Sequence, residues 1–352
     1  MREARSYVKP MEVAVPYALV VIALIVAWIK VPGFLSTGHL TALSITAAYL
    51  GIIAIGQTLV LLLGGIDLSV PYMINLAAVY LAGFQFAGMN SAKGFVLVLL
   101  VGVLVGLVNG LGIALLDISP LVMTLGMNSI LQGVVLIYTN GSPKGASSDF
   151  VTKLATGDTG GIPYVVILWI ALIAAVTLVL VYTTFGRGIY SVGSNRRASE
   201  LAGLPVRRTI ILAYTLSGLS AALGGLLLVG YSGQAYLGMG DNYLLPVIAV
   251  VVIGGTSIFG GKGSYVQTVA GTLLITVITS ALISSGVDQS GQDILYGAII
   301  LAMAYFNQVA LSGQGTTSLK AFRGWLQPVG RGDEAVLETP ELMDRPKDPL
   351  SP

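Results

Sequence analysis

The sequence predicts an all-α integral membrane protein with about ten transmembrane helices and with both termini in the cytoplasm. Two properties of the composition support the membrane assignment. Of the 352 residues, 55% are hydrophobic and only 10% are charged, and the mean hydropathy is +0.86. An ordinary globular domain carries about 25% charged residues. A soluble fold of this length could not bury so much apolar surface, so we expect lipid to surround most of the chain.

Ten apolar stretches give the helix count. A transmembrane helix needs about 20 apolar residues, and the candidate stretches lie at 14–31, 43–63, 70–88, 94–116, 119–139, 162–184, 209–230, 244–257, 265–284 and 293–311. The first is not followed by a small-residue cleavage site, so we interpret it as a retained helix and not as a signal peptide. The eighth is short and ends in glycines, which leaves nine crossings plus one re-entrant segment as the alternative.

The distribution of basic residues gives the orientation, because Lys and Arg are retained on the cytoplasmic side of a membrane. With ten crossings and a cytoplasmic N-terminus, all but four of the 18 Lys and Arg residues face the cytoplasm; the four are Lys30, Lys93, Lys144 and Lys153. Moving one crossing would invert everything after it and destroy this asymmetry. We therefore expect a cytoplasmic segment at 1–13, a transmembrane domain at 14–311 and a cytoplasmic tail at 312–352.

The tail differs from the rest of the chain in composition. It is rich in Pro, Gly, Asp and Glu and holds few large apolar residues after Trp325. A segment of this kind cannot bury enough apolar surface to fold, so we expect a disordered extension. The alternative is a segment at the membrane surface, residues 319–326, that Trp325 and Arg323 would anchor.

The residue inventory excludes most catalytic chemistry. The chain has no cysteine and a single histidine, His39, so it can form neither a disulfide nor a multi-histidine metal site. The glycine-rich run 254–264 (GGTSIFGGKGS) differs from a phosphate-binding loop at two required positions, where it has Thr256 and Gly263. The sequence shows no paired carboxylates and no serine nucleophile motif. It predicts a protein that is not an enzyme, with no metal or cofactor of its own and no nucleic-acid partner.

The interiors of the predicted helices hold almost no ionisable residues. Ion-coupled carriers keep carboxylates or histidines within the membrane, so this absence argues against ion coupling and for a neutral substrate. The polar side chains in the helices are amides and hydroxyls, namely Gln57, Asn75, Asn109, Thr124, Asn128, Gln132 and Thr272. They suit a sugar or a polyol in an aqueous path. The alternative is that they form hydrogen bonds between helices, each worth about 1 kcal/mol.

One polar segment interrupts the apolar pattern. Residues 186–208 (GRGIYSVGSNRRASELAGLPVRR) form a predicted loop with five arginines and a single acid, Glu200. A basic loop of this kind stays in the cytoplasm, and its size indicates a docking surface for a soluble partner. Contact between the arginines and anionic lipid headgroups is the alternative.

Four segments together resemble a known family. They are residues 63–70 (LGGIDLSV), 108–124 (VNGLGIALLDISPLVMT), the arginine-rich loop and 251–264 (VVIGGTSIFGGKGS). In this order they resemble the inner-membrane permease subunit of bacterial ABC importers for monosaccharides such as ribose, xylose and galactose, over roughly residues 43–310. The resemblance implies a homodimer of permeases in contact with membrane lipid. It also implies a cytoplasmic ATPase that binds ATP and Mg, and a periplasmic or lipid-anchored sugar-binding protein.

The resemblance gives the arginine-rich loop a coupling role. A short helix there is implied to lie parallel to the membrane and to insert into a groove on the ATPase. Asn195 or Ser194 can cap this helix, Ala198 keeps one face small, and Gly203 can end it in the left-handed conformation. The predicted coupling residues are Gly193, Ser194, Asn195, Arg196, Arg197, Ala198, Glu200, Leu201 and Gly203.

Two further sets come from the other segments. The predicted path residues are Asn75, Asn109, Ser119, Thr124 and Asn128, and the predicted structural or gating residues are Gly64, Gly65, Asp67, Gly254 and Gly255. Gly64 and Gly65 permit a sharp turn at the end of a helix. Asp67 and Ser69 are expected to cap the following helix, which is the alternative to a gating role for Asp67.

These expectations support ATP-driven import of a neutral monosaccharide, a pentose or a hexose, into the cytoplasm by a membrane subunit whose motor is a separate ATPase. The alternative is an ATP-independent facilitator or secondary carrier of the same substrates. A polyol, a signalling furanosyl compound or a nucleoside also fits a neutral path.

Overall fold

The computed structural model describes the backbone of residues 10–312 and the side chains of residues 13–305. Within that range the only strands are those of one short hairpin, β1 (Asp158–Thr159) and β2 (Ile162–Pro163). A single 3₁₀ turn, Asp241–Tyr243, precedes α11. The helices are α1 (Pro10–Lys30), α2 (Thr37–Leu62), α3 (Val70–Phe86), α4 (Ser91–Leu115), α5 (Pro120–Thr139), α6 (Asp149–Thr156), α7 (Tyr164–Tyr182), α8 (Thr184–Ser194), α9 (Arg196–Leu201), α10 (Val206–Ser232), α11 (Leu244–Ile253), α12 (Tyr265–Ser284) and α13 (Gln289–Ser312).

Each of the ten predicted apolar stretches coincides with one helix. Seven helices in the described range are long and apolar enough to cross a membrane, namely α1, α2, α4, α5, α7, α10 and α12. The apolar helices α3 and α11 are shorter. Helix α11 has 10 residues, which is about 15 Å at 1.5 Å per residue against a hydrocarbon core of about 30 Å. The eighth stretch is therefore short, as expected, and the count of ten crossings stays a prediction.

Helices α2 and α10 form the centre of the bundle. Helix α10 packs most extensively against α4, and then against α2 and α3. In the most apolar stretch of α2, 89% of the residues are buried inside the protein, whereas in that of α7 only 17% are buried. Both helices are apolar on all sides, a pattern that fits either a protein core or a lipid environment. Packing therefore assigns α2 to the interior and α7 to the periphery.

A stripe of glycines brings α4 and α10 into backbone contact. Gly102, Gly106 and Gly110 are spaced four residues apart on α4, so they share one face of the helix. A Cβ on Gly106 would collide with the carbonyl of Tyr214, and a Cβ on Gly218 would collide with the carbonyl of Gly102. Small residues at this spacing let two membrane helices approach closely.

Buried polar side chains connect the outer helices to α2. The Tyr265 hydroxyl on α12 donates a hydrogen bond to the Gly51 carbonyl at 2.8 Å and accepts one from Trp169 Nε1 on α7 at 3.0 Å. The Tyr49 hydroxyl donates to the Ala155 carbonyl at 2.9 Å. Helices α7, α12 and α6 are thereby fixed to α2 by groups that would otherwise be buried without a partner.

The segment predicted as a polar loop, residues 186–208, is largely helical. The Gly186 N–H donates to Thr183 Oγ1 at 3.1 Å, which caps α8. Helix α8 buries Ile189, Tyr190 and Val192 and exposes its polar face. One short helix was expected inside this loop, but α8 was not predicted, because its amphipathic pattern is short and is interrupted by glycines.

Residue contacts divide the chain into a compact unit, residues 1–307, and a second unit, residues 308–352. The helices described above belong to the first unit, except for the end of α13. The predicted N-terminal segment overlaps the described residues only from residue 10, where α1 begins. The predicted disordered tail at 312–352, and its alternative at 319–326, lie outside the described residues apart from residue 312.

The glycine stripe gives a first test. We expect Gly106→Val to lower the melting temperature of the detergent-solubilised protein by several degrees and to reduce its monodisperse yield, because a β-branched side chain must displace the backbone of α10. Gly133→Val is the control, since a Cβ at Gly133 meets nothing within 4 Å. Overpacking of this kind costs about 1–3 kcal/mol. Equal melting temperatures for the two variants would show that α4 and α10 are not in backbone contact.

Candidate functional site

Helix α9 has six residues, and a specific residue caps or ends it on each side. The Ala198 N–H donates to Asn195 Oδ1 at 2.9 Å, so Asn195 is the N-cap. Ser194 is not a cap, because its hydroxyl donates to the Tyr190 carbonyl at 2.8 Å. Gly203 follows the helix with φ +73°, the left-handed conformation that glycine adopts without steric cost. The geometry expected at both ends of this helix is therefore present.

Most of α9 is exposed. Arg196, Arg197, Ala198 and Glu200 lie at the surface, and only Ser199 is buried. Leu201 at the end of the helix is 78% exposed.

Three ion pairs surround α9. Arg196 Nη2 lies 2.7 Å from Asp117 Oδ1, and Glu200 lies 3.4 Å from Arg196 Nε and 3.5 Å from Arg197 Nη1. These are the only ion pairs found among the described side chains. Exposed pairs of this kind contribute about 0–1 kcal/mol, so their main effect is to orient the arginines and to connect α9 with the turn before α5.

Asp117 was not among the predicted site residues. It has φ +50°, lies between α4 and α5, and is 79 residues from its partner Arg196. With Arg196 and Glu200 it lines a groove of about 770 Å³ that continues along residues 204–208. A single acid at the end of an apolar stretch was the signal in the sequence, but nothing in the sequence indicates its partner.

A backbone junction connects α8 to the core. We call the contact between Gly64, Gly193, Gly260 and Gly261 the glycine junction. The Gly261 N–H donates to the Leu62 carbonyl at the end of α2 at 2.9 Å. A Cβ on Gly193 would collide with that carbonyl, and a Cβ on Gly260 would collide with the backbone of Gly193 and Gly64. The ends of α2 and α8 and the turn at 254–264 therefore meet without intervening side chains.

Of the four glycines that the sequence predicts to be structural or gating residues, two adopt φ values that other residues disfavour. Gly64 has φ +79° and Gly255 has φ +104°. At Gly65 and Gly254 a side chain is excluded by lack of space instead. A Cβ on Gly65 would collide with the Tyr214 hydroxyl, and a Cβ on Gly254 would collide with the backbone of Gln267. The predicted glycine turns are thus present in both segments.

Asp67 lies in the loop between α2 and α3 and is buried. Its Oδ1 accepts hydrogen bonds from the Ser69 N–H at 3.0 Å and the Ser69 hydroxyl at 2.6 Å, and its Oδ2 accepts one from the Ser217 hydroxyl at 2.7 Å. Asn109 Nδ2 donates to Ser69 Oγ at 3.0 Å. Burial raises the pKa of the Asp67 carboxyl, although these hydrogen bonds oppose the shift. The network fastens the loop to α4 and α10.

The expectation that Asp67 and Ser69 cap α3 was wrong. Ser69 occupies the N-cap position, but its side chain makes no capping hydrogen bond to α3. Its hydroxyl donates to the Asp67 carboxylate instead. The Ser69 hydroxyl stabilises the buried carboxylate and not the end of the helix, because an ionised group without hydrogen-bond donors is costly to bury.

Three predicted path residues are fully buried and connect elements. Asn75 accepts from the Gly240 N–H at 2.9 Å and donates to Asp241 Oδ1 at 3.1 Å. Thr124 Oγ1 accepts from the Leu68 N–H at 3.0 Å, and Asn109 belongs to the Asp67 network. In this conformation all three make hydrogen bonds between elements, which is the alternative that the sequence left open.

The other two predicted path residues lie nearer the surface. Asn128 is half-buried and its Oδ1 accepts from the Tyr72 N–H at 3.4 Å. Ser119 is exposed and precedes α5 without a side-chain capping bond. A path-lining role for any of the five stays a prediction.

Comparison with known proteins assigns the family. The family model described as a branched-chain amino acid transport system permease component matches residues 39–304. The ribose import permease protein RbsC of Bacillus subtilis is 33% identical over 288 residues, which is 81% of this chain and 89% of that protein. The autoinducer 2 import system permease protein LsrD of Photorhabdus luminescens is 31% identical over 284 residues, which is 79% of this chain and 84% of that protein.

A third relative is the probable ABC transporter permease protein YphD of Escherichia coli, which is 36% identical over 291 residues, 82% of this chain and 88% of that protein. No solved structure gives a significant match. Because the family model covers about three quarters of the chain, the chain belongs to this family of ABC transporter permease components.

Membership confirms the resemblance and fixes the class of protein. The chain is a multi-pass membrane permease subunit and not an enzyme, and ATP is hydrolysed by a separate ATPase. The family implies that ATPase and a substrate-binding protein as partners.

The Asp67 network gives a second test. We expect Asp67→Ala to destabilise the protein by about 1–3 kcal/mol, because Ser69 and Ser217 lose a buried acceptor. Asp117→Asn is the control, since Asp117 is 73% exposed, Asn also tolerates its φ of +50°, and surface substitutions usually stay within about 0.5 kcal/mol. Thermal unfolding in one detergent measures both. A larger loss of stability for Asp117→Asn would contradict the assignment.

Proposed function

We propose that this chain is the translocating subunit of an importer that carries a neutral monosaccharide, a pentose or a hexose, into the cytoplasm. The observation that carries the proposal is the coupling surface, which we define as α9 with Asp117. It is a capped helix with an exposed apolar tip and an ordered cluster of charges. A permease driven by a separate ATPase needs such a surface. Relatives named for ribose and autoinducer 2 import support the class of cargo.

The charges of the interior favour a neutral sugar over an amino acid, although the family description names branched-chain amino acids. An amino acid is a zwitterion at neutral pH, and a buried site for it requires charged partners. Among the described side chains, Asp67 is the only Asp, Glu, Lys or Arg that is buried. Its carboxylate accepts hydrogen bonds from Ser69 and Ser217 and could meet only the ammonium group, because no Lys or Arg among the described side chains is buried to meet the carboxylate of an amino acid.

In this proposal α9 is the coupling helix and inserts into a groove on the ATPase. Leu201 would enter an apolar part of that groove, and Arg196 and Arg197 would meet acidic groups at its edge. Movement of α9 would reach α2 through the glycine junction and α5 through the Arg196–Asp117 ion pair. Binding of anionic lipid by the arginines is compatible with this arrangement.

The orientation belongs to the same proposal. With ten crossings in the bacterial inner membrane and both termini in the cytoplasm, α9 faces the ATPase, while α6 and the hairpin β1–β2 face outward. The sugar-binding protein, periplasmic or lipid-anchored, would dock on that outer surface. The broad apolar surface of α5, exposed at Leu121, Val122 and Ile137 among others, is available to a second permease copy or to lipid.

The relatives argue against the ATP-independent facilitator that the sequence left open, because they are permeases of import systems of the ABC type. A facilitator would share the neutral interior, but it has no use for an exposed docking helix. The two candidates differ in whether uptake requires the ATPase.

The apolar tip of α9 tests the coupling assignment. We expect Leu201→Asp to leave the permease folded and to abolish co-purification of the ATPase subunit, because a charge would replace the side chain that enters the groove. Ile162→Asp on β2 is the matched control, as Ile162 is also an exposed aliphatic residue but lies on the predicted outer side. Uptake of ¹⁴C-labelled D-ribose, D-xylose and D-galactose into proteoliposomes with ATPase and binding protein measures function. Normal ATP-dependent uptake by Leu201→Asp would contradict the assignment of α9 as the coupling helix.

The ion pair between α9 and the turn before α5 provides a separate test. Asp117→Arg is expected to lower the amount of sugar imported per ATP hydrolysed several-fold, because two cations then face each other at this contact. The exchange Asp117→Arg with Arg196→Asp restores the attraction and is expected to recover most of the coupling. A double variant no better than Asp117→Arg alone would show that the contact itself is not used.

A further inference from the structure

A second cavity lies away from the coupling surface. It has a volume of about 430 Å³ and lies among α2, the segment before α11, α12 and α13. Ligand-binding cavities commonly fall between about 300 and 1,000 Å³. The cavity follows α12 from Ile275 to Ser284, a distance of about 14 Å at 1.5 Å per residue. It is therefore long enough to hold a small solute within one subunit.

The lining of this cavity is polar but uncharged. Among the residues that the structure describes, no Asp, Glu, Lys or Arg lines it, and its polar groups are hydroxyls, amides and the imidazole of His39. The rings of Tyr236, Tyr243 and Tyr296 add flat apolar faces. An alternation of hydroxyl and aromatic groups matches a solute that has both hydroxyl groups and C–H faces.

A neighbouring groove shows the contrast. It has a volume of about 570 Å³, lies among α1, α12 and α13, and is lined by aliphatic side chains apart from Lys30 and Ser285. A surface of that kind suits a lipid acyl chain. The two cavities share α12 but differ in chemistry, so the polar lining of the first is not a general property of this helix.

Hydrogen bonds fix several of the side chains that line the polar cavity. Thr276, Gln292 and Tyr296 are at least nine-tenths buried. The hydroxyls of Thr279 and Tyr296 are 2.6 Å apart, and His39 Nε2 lies 3.0 Å from Ser280 Oγ. A hydroxyl that donates one hydrogen bond keeps lone pairs that can accept others. The groups are therefore oriented before any solute enters.

We propose that this cavity is a binding site for a neutral, polyhydroxylated solute of monosaccharide size within each permease subunit. The identity of the solute as the imported sugar rests on the proposed function. In the proposed orientation α12 ends and α13 begins at the outer face, so the cavity receives the sugar released by the binding protein. Thr276 and Gln292 supply the hydrogen bonds, the tyrosine rings pack against the sugar, and Ser280, whose hydroxyl is hydrogen-bonded to His39, lies beside them on the wall.

The absence of cysteine allows a direct test, because a single introduced thiol is unique. Ser280→Cys places it on the cavity wall, and Ser36→Cys places it on an exposed position before α2 that does not line the cavity. Each permease is reconstituted in nanodiscs without ATPase and labelled with a small polar thiol reagent in the presence of D-ribose, D-xylose or D-galactose. We expect at least one sugar to slow labelling of Ser280→Cys several-fold and to leave Ser36→Cys unchanged.

Two threonines on α12 provide a matched pair for a second measurement. The hydroxyls of Thr272 and Thr276 each donate to the carbonyl four residues earlier at 2.8 Å, and both are buried. Only Thr276 lines the cavity. In the Ser280→Cys background, Thr276→Val is expected to raise the sugar concentration for half-maximal protection about two- to tenfold, the effect of one lost hydrogen bond. Thr272→Val is expected to leave it unchanged.

The outcomes separate this proposal from the proposed function. Protection of Ser280→Cys by one of the three sugars supports the cavity whether or not the full transporter imports that sugar. If none of the three sugars protects, or if Thr272→Val and Thr276→Val have equal effects, the assignment of this cavity as a binding site is overturned. ATP-dependent import by the wild-type transporter tests the proposed function independently.

Discussion

The structure depends on direct backbone contact between α4 and α10. Lipid chains are as apolar as the side chains of these helices, so little hydrophobic force drives helices together in a membrane. The glycines of α4 remove the side chains that would hold the two backbones apart. Helix α10 then carries Ser217 to the Asp67 carboxylate, and α4 carries Asn109 to Ser69. The loop between α2 and α3 is therefore positioned by a contact that is made deeper in the bundle.

The coupling surface is joined to this core in two physically different ways. The glycine junction is a contact between backbones, so it cannot yield without displacing α2 or the turn at 254–264. The ion pair between Arg196 and Asp117 is 41% and 73% exposed, and exposed pairs contribute about 0–1 kcal/mol. Under the proposed function, a force on α9 would reach α2 through α8 and a rigid contact, and α5 through a contact that can break and re-form.

The sequence predicted the features that depend on neighbouring residues. Apolar length predicted every long helix, and the family resemblance implied a short helix that Asn195 or Ser194 would cap and Gly203 would end, as α9 does with Asn195. It did not predict features that require distant residues to meet. Asp117 finds Arg196 across 79 residues, and the polar cavity gathers side chains from α2, α12, α13 and the segment before α11. The role of Ser69 was misread for the same reason, because the acceptor of its hydroxyl is a buried carboxylate fixed by α10.

The placement of charge connects the mechanism with the choice of cargo. The described ion pairs lie on the exposed coupling surface, and the one buried carboxylate among the described side chains is hydrogen-bonded to serines. Among the described residues, no charged side chain lines the polar cavity. A neutral solute there would be held by hydrogen bonds and by the tyrosine rings, and not by a charge. Under the proposed function the soluble partner captures the cargo, so the cavity needs to hold it only weakly, and a site that binds weakly also releases quickly when the transporter changes conformation.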